Sequence, residues 1–137
     1  ESKEFSIHEL ITLASLVEEE APSETDRKLI ASVFYNRLDE GMKLQTDPTV
    51  IYAFGEQIER LTYDDYEIES PYNTYHVEGL PVGPIANFGE SSLAAILQPA
   101  NGNYLFFLSD SEGEIHYSTT YKEHQQLEDQ YIHNQED

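Results

Sequence analysis

Apolar positions recur at helical spacing through the first half of the chain and give way to a shorter, unbroken apolar run further on. Ser6 and Glu9 form a capping box, which predicts a helix from about Ser6 to Glu20 that stops before Pro22. Ser23 with Asp26 starts a second helix, in which Leu29, Ile30, Val33, Phe34 and Leu38 share a face until Gly41 ends it. Asp47-Pro48 reads as an N-cap followed by proline at the first helical position, so Asp47 to Phe54 is predicted as a short helix closed by Gly55. Glu56 to Glu69 is acidic and tyrosine-rich, a loop with room for one helical turn. Ser70 to Gly89 carries Pro71, Pro81, Pro84, Gly79, Gly83 and Gly89, a composition that demands particular backbone shapes. Glu90 to Gln98 reads as a helix ended by Pro99. Tyr104 to Leu108 reads as a buried strand, turned by Asp110 to Gly113 into a partner strand, Glu114 to Ser118. Thr120 and Glu123 form a second capping box, opening a polar helix to about His133. The sum is an α+β domain, mainly helical, with one small antiparallel β-hairpin.

The first helix ends on three consecutive carboxylates, Glu18, Glu19 and Glu20. At about 100° per residue, Glu19 falls with His8, Thr12 and Ser15 on the polar side, Glu18 lies beside Ile7, Ile11 and Ala14, and Glu20 lies between Leu13 and Leu16. A carboxyl at the edge of a buried stripe, in the last helical turn, is desolvated and sits near the negative end of the helix dipole. Both effects raise its pKa. Glu18 and Glu20 are therefore both candidate general acids. The plain alternative is that all three glutamates solvate a helix end.

Composition narrows the field. At 137 residues the chain is one domain. It has no cysteine, which removes disulfides and thiolate zinc sites. With 27 acidic against 7 basic residues, the net charge is −20, which excludes unaided nucleic-acid binding and disfavours anionic lipid surfaces. No apolar run reaches the roughly 20 residues of a membrane span. The start just ahead of a capping box is expected to be a boundary placed around a domain, ahead of which a membrane anchor or a companion domain would be invisible in this sequence. The histidines at 8, 76, 116, 124 and 133 make no tight ligand spacing, so no metal and no cofactor is expected. Tyr63, Tyr66, Tyr72 and Tyr75 offer a sugar-stacking floor or are ordinary half-buried tyrosines. Asn36-Arg37 is read either as a substrate contact or as a brace for neighbouring loops.

Several blocks of this sequence resemble one family. They are Leu16 to Glu20, Ala31 to Leu38, Gly41 to Tyr52, Ser70 to Tyr75, Gly79 to Asn87 and Tyr104 to Phe107. In that order they are similar to the catalytic domain of the MltG-type, YceG-like endolytic murein transglycosylases. The resemblance implies a lysozyme-like, lytic transglycosylase-type fold and cleavage of the MurNAc-β-1,4-GlcNAc bond of peptidoglycan strands to 1,6-anhydroMurNAc ends. It places the catalytic glutamate at Glu20, and it implies substrate contacts at Gln45, Thr46, Tyr72, Asn73 and Tyr75. Tyr72-Asn73 is similar to the Tyr-Asn pair of the wider lytic transglycosylase group, where the tyrosine sits next to the acid. Asp47 is expected to act as a helix cap, with a second duty at the site as the alternative. The implied partners are glycan strands, with cell-wall synthases also admitted. The implied location is the outer face of the bacterial cytoplasmic membrane, through a segment absent from this chain. The sequence departs from the family at Ala21, where Thr or Ser is usual, and at Val82 and Phe88, which replace prolines. An inactive wall-synthesis scaffold and a water-using muramidase on the same fold are the competing expectations.

Overall fold

The computed structural model describes residues 4–56 and 60–132. Among these, the chain order is α1 (Ile7–Glu20), α2 (Glu24–Glu40), α3 (Asp47–Phe54), a 3-10 turn (Asp64–Glu67), α4 (Glu90–Leu97), β1 (Phe106–Ser109), β2 (Ile115–Ser118) and α5 (Tyr121–Tyr131). The architecture is α+β, with helices dominant and one antiparallel hairpin whose register sets Phe106 opposite Ser118 and Ser109 opposite Ile115. The predicted end of the last helix, His133, lies outside the described residues. None of the described helices is long and apolar enough to cross a membrane.

Caps decide where α1 and α2 begin and end. Ser6 Oγ accepts the Glu9 amide at 3.1 Å while Glu9 Oε1 accepts the Ser6 amide at 2.9 Å, satisfying two of the N–H groups that a helix start leaves open. Ala21 turns extended because Pro22 follows it. Ser23 caps α2, and Gly41 closes it at φ +76°, a conformation that needs no Cβ.

The core is built where α1 meets α2 and α4. Leu13, Leu16, Val17, Ile30 and Phe34 are fully buried, Ile96 of α4 nearly so, and each such side chain contributes roughly 1.5–3 kcal/mol. Phe34 meets Phe107 edge-on at 6.3 Å, which ties the hairpin to the helical layer. On the hairpin's other side, α5 lays His124 flat against Phe106 at 5.1 Å. The hairpin turn is locked by Asp110, whose Oδ1 accepts the amides of Glu112 and Glu114.

Three expectations are corrected. Thr12 and Ser15 do not form an exposed polar face; they are 1% and 0% exposed. Their hydroxyls are satisfied locally, Thr12 donating to the His8 carbonyl, and Ser15 donating to the Thr12 carbonyl and accepting the Ile85 amide, so the glycine-proline segment can cover that face. The first strand begins later than predicted, because Asn36 and Arg37 take the carbonyls of Gly102, Tyr104 and Leu105. Asn36-Arg37 is thus a brace. Asp47 is not the cap of α3: Thr46 holds that position, no side chain caps the helix, and Asp47 stands in its first turn with its carboxylate turned elsewhere.

Candidate active site

The fold brings the end of α1 to one wall of a cavity of about 670 Å³. Glu20 lines it together with Gln45, Asp47, Tyr66 and Tyr75, while Phe106 of the hairpin and His124 of α5 close the far side. The three glutamates separate cleanly by environment. Glu19 is exposed. Glu18 Oε1 accepts the Gly89 amide at 3.2 Å and the Ser92 hydroxyl at 2.7 Å, so it caps α4. Those bonds hold its carboxyl below the usual range. The Glu20 carboxyl makes no hydrogen bond among the described residues, and burial, then the charges of Asp47 and Glu19, push its pKa up to about 8. Of the three, only Glu20 is set up to keep a proton at neutral pH and release it to a basic oxygen.

The opposite wall is built by hydrogen bonds between two loops. Thr74 Oγ1 accepts the Thr46 amide at 2.8 Å and sits 2.8 Å from Thr49 Oγ1, while the Gln45 amide donates to the Thr74 carbonyl at 3.3 Å. Arg37 Nη1 donates to the Lys43 carbonyl at 2.7 Å and so anchors the same loop from α2. These bonds hold Gln45 at φ +53°, the left-handed region that a residue with a Cβ seldom enters. Its side chain is thereby exposed on the cavity. Strain of this kind, of order 1–3 kcal/mol, persists only where surrounding contacts over-determine it.

Asn73 is fully buried. Its amide nitrogen donates to the carbonyls of Tyr66 at 3.0 Å and Ile68 at 2.8 Å, and its oxygen accepts the Tyr75 amide at 2.9 Å. Every polar atom of the side chain is engaged within the protein, so a sugar contact gives way to a structural role, in which Asn73 fixes the two tyrosines that face Glu20. Those rings meet edge-on at 4.8 Å. Their hydroxyls both reach Asp47, Tyr75 at 2.6 Å and Tyr66 at 3.2 Å. Burial, then the Asp47 charge, raises both phenol pKa values, that of Tyr66 to about 12.

Of the residues expected to contact substrate, Gln45 and Tyr75 share the cavity with Glu20. Thr46 is 2% exposed, and its hydroxyl has no partner among the described residues. Tyr72 stands apart from the cavity walls, its ring against Tyr52 at 4.8 Å, so the tyrosine beside the acid is Tyr75. Tyr63, at 95% exposure, joins no floor. Thr74 was missed as a site residue, while Asp47 reads in the sequence first as a cap and Tyr66 only as one of four tyrosines of a sugar-stacking floor. The Asp-Pro pair had masked Asp47 as a cap, and no periodicity marks the other two.

Charge in the cavity is mostly negative. Arg37 is its cation, buried over the Phe106 ring at 5.0 Å, and burial lowers its pKa. Burial likewise holds the His124 imidazole below its usual range. Away from this site, the hairpin turn gathers Asp110, Glu114 and His116 with their ligand atoms within 4.8 Å, a grouping that sequence spacing had not suggested. The Asp110 carboxylate there already holds the turn amides and His116 Nε2 at 2.8 Å, which explains the cluster as a turn lock.

Fold and site together define a helical α+β domain that presents one half-dry carboxyl group in an aromatic-walled cleft. The sequence model of the YceG-like family matches residues 1–130, and the chain belongs to that family. It is 55% identical over 127 residues to an endolytic murein transglycosylase of Bacillus subtilis strain 168, covering 93% of this chain and 35% of that protein. It is 36% identical over 129 residues to an endolytic murein transglycosylase of Streptococcus pneumoniae strain D39, covering 90% of this chain and 23% of that protein. A crystal structure of a YceG-like protein from Listeria monocytogenes superposes with a TM-score of 0.84 at 51% identity, over 90% of this chain and 40% of that one. The chain thus spans well under half the length of each.

Proposed function

We propose that this domain carries out the cleavage step of an endolytic murein transglycosylase, with Glu20 as its acid and then its base, on a fold of the lysozyme-like kind. The observation that carries the reading is the environment of Glu20: a carboxyl at the cavity wall with its pKa raised to about 8. Protonated, it would donate to the glycosidic oxygen between MurNAc and GlcNAc. As a carboxylate, it would then take the proton from the sugar's own C6 hydroxyl as that oxygen attacks C1. No water and no carboxylate nucleophile is needed, unlike in the usual inverting and retaining hydrolases. Ring closure within one sugar also gains the advantage of an intramolecular reaction. The names of the relatives support murein as the substrate. We infer that the parent protein works at the outer face of the cytoplasmic membrane, acting on glycan strands beside the cell-wall synthases.

The test is incubation of the purified protein with uncrosslinked glycan strands and mass spectrometry of the ends. Anhydro-ended fragments are expected from the wild type and none from Glu20→Gln. Hydrated reducing ends would replace this reading with a muramidase, and a wild type that cuts nothing would replace it with a scaffold.

A further inference from the structure

Asp47 stands in the first turn of α3, at the positive end of the helix dipole. Both its oxygens are turned toward the cavity, where they accept the phenol protons of Tyr75 and Tyr66. A phenol has one proton to give. With that proton committed to Asp47, Tyr75 offers the cavity only oxygen lone pairs. A protonated Glu20 or a sugar hydroxyl can donate to them, whereas an ionised Glu20 meets no donor there and faces the Asp47 charge as well.

The other groups around Glu20 do not reverse this bias. Arg37 donates through Nε to the Leu105 carbonyl and through Nη1 to those of Lys43 and Leu44, lies over the Phe106 ring, and forms no ion pair with Glu20 among the described residues. His124 of α5 faces Glu128, which adds negative charge, and Glu19 adds more from α1 itself.

We propose that Asp47 is a positioning residue for the acid: with Tyr75 it keeps Glu20 in its proton-donating form between turnovers, without touching the sugar. The proposal rests on the reading of Glu20 as the acid, and it gives the site a second carboxylate whose effect is electrostatic. A lone-glutamate mechanism gains from such a device, because the proton regained from the C6 hydroxyl at the end of one cut must be held near neutral pH until the next strand is in place.

Two measurements on the purified protein test it. One is kcat/KM for glycan cleavage from pH 5 to pH 9, comparing wild type with Asp47→Asn. The other is the Glu20 titration followed by NMR on protein carrying 13C at the glutamate carboxyl carbons, which requires no turnover. The expected result is a Glu20 midpoint at least one pH unit lower in Asp47→Asn, with a loss of kcat/KM at least about fivefold larger at pH 8 than at pH 5. Should Asp47→Asn not fold, Tyr75→Phe carries the same test, with a smaller shift in the same direction. An unchanged Glu20 titration, or a loss of activity equal at every pH, overturns the proposal. A lowered midpoint in a protein that cuts no glycan upholds the link between Asp47 and Glu20 and overturns the enzymatic reading instead.

Discussion

A desolvated acid is a burden on the fold that carries it, and Glu20 allows that burden to be measured. Its carboxyl titrates near 8 in the folded chain and near 4.5 when free of the fold. The folded state therefore binds this proton more tightly than the unfolded state does. Below the lower value both states are protonated and Glu20 costs nothing. Between the two values the unfolded chain ionises first, so stability falls as pH rises; above the upper value the loss is complete and constant. At about 1.4 kcal/mol per pH unit, an interval of roughly 3.5 units gives about 5 kcal/mol, and water reaching the open side of the cavity trims this to about 2–4 kcal/mol. Glutamine keeps the shape and cannot ionise. Glu20→Gln is thus expected to be more stable than the wild type at pH 9 by about 2–4 kcal/mol, or roughly 6–12 °C in Tm for a domain of this size. At pH 5 the two should melt within about 2 °C of each other, since little of the difference has developed there. The assay is thermal melting by circular dichroism at half-unit steps of pH. Every other titrating group is common to both proteins, so the difference curve isolates Glu20. A Tm difference that is flat from pH 5 to pH 9, or a wild type that is the more stable at pH 9, would refute the reasoning.

Two further outcomes test the supports of the site. Asn73→Ala removes three part-buried hydrogen bonds that join the Tyr66, Ile68 and Tyr75 backbones; urea denaturation should give a loss of about 2–4 kcal/mol, and a loss below about 1 kcal/mol would show those groups to be satisfied otherwise. Glu18→Ala removes the cap from α4, which should cost about 1 kcal/mol at neutral pH, and the difference should vanish as pH falls through the carboxylate range, since the stabilisation belongs to the ionised form.

How much of this was legible in the sequence depended on whether the information was local. Capping boxes at Ser6 and Thr120, the proline after α1 and the glycine after α2 act within a few residues, and the helices begin and end there as the sequence predicts. Burial is not local. The wheel placed Thr12 and Ser15 on a polar face because hydroxyls count as polar, but each returns its proton to its own helix, so that the segment around Ile85 could pack against them. The helical wheel could set Glu19 aside, whereas Glu18 and Glu20 differ only in what crosses over to meet them. Gly89 and Ser92 arrive at Glu18 with donors; Asp47 arrives near Glu20 with charge.

The same distinction explains why the site's second carboxylate was hidden. An Asp before a proline at a helix start has a sufficient local explanation, and that explanation fails only once Thr46 is seen to hold the cap position. Asp47 gains its place in the site from Tyr66 and Tyr75, 19 and 28 residues away, and those tyrosines gain theirs from Asn73, which a sequence motif marks and burial reassigns from sugar contact to scaffold. The chain of support runs from a buried amide, through two phenols, to one carboxylate that biases another. On the proposed function, a residue two steps removed from the chemistry is then as intolerant of change as Glu20, although it touches nothing that reacts.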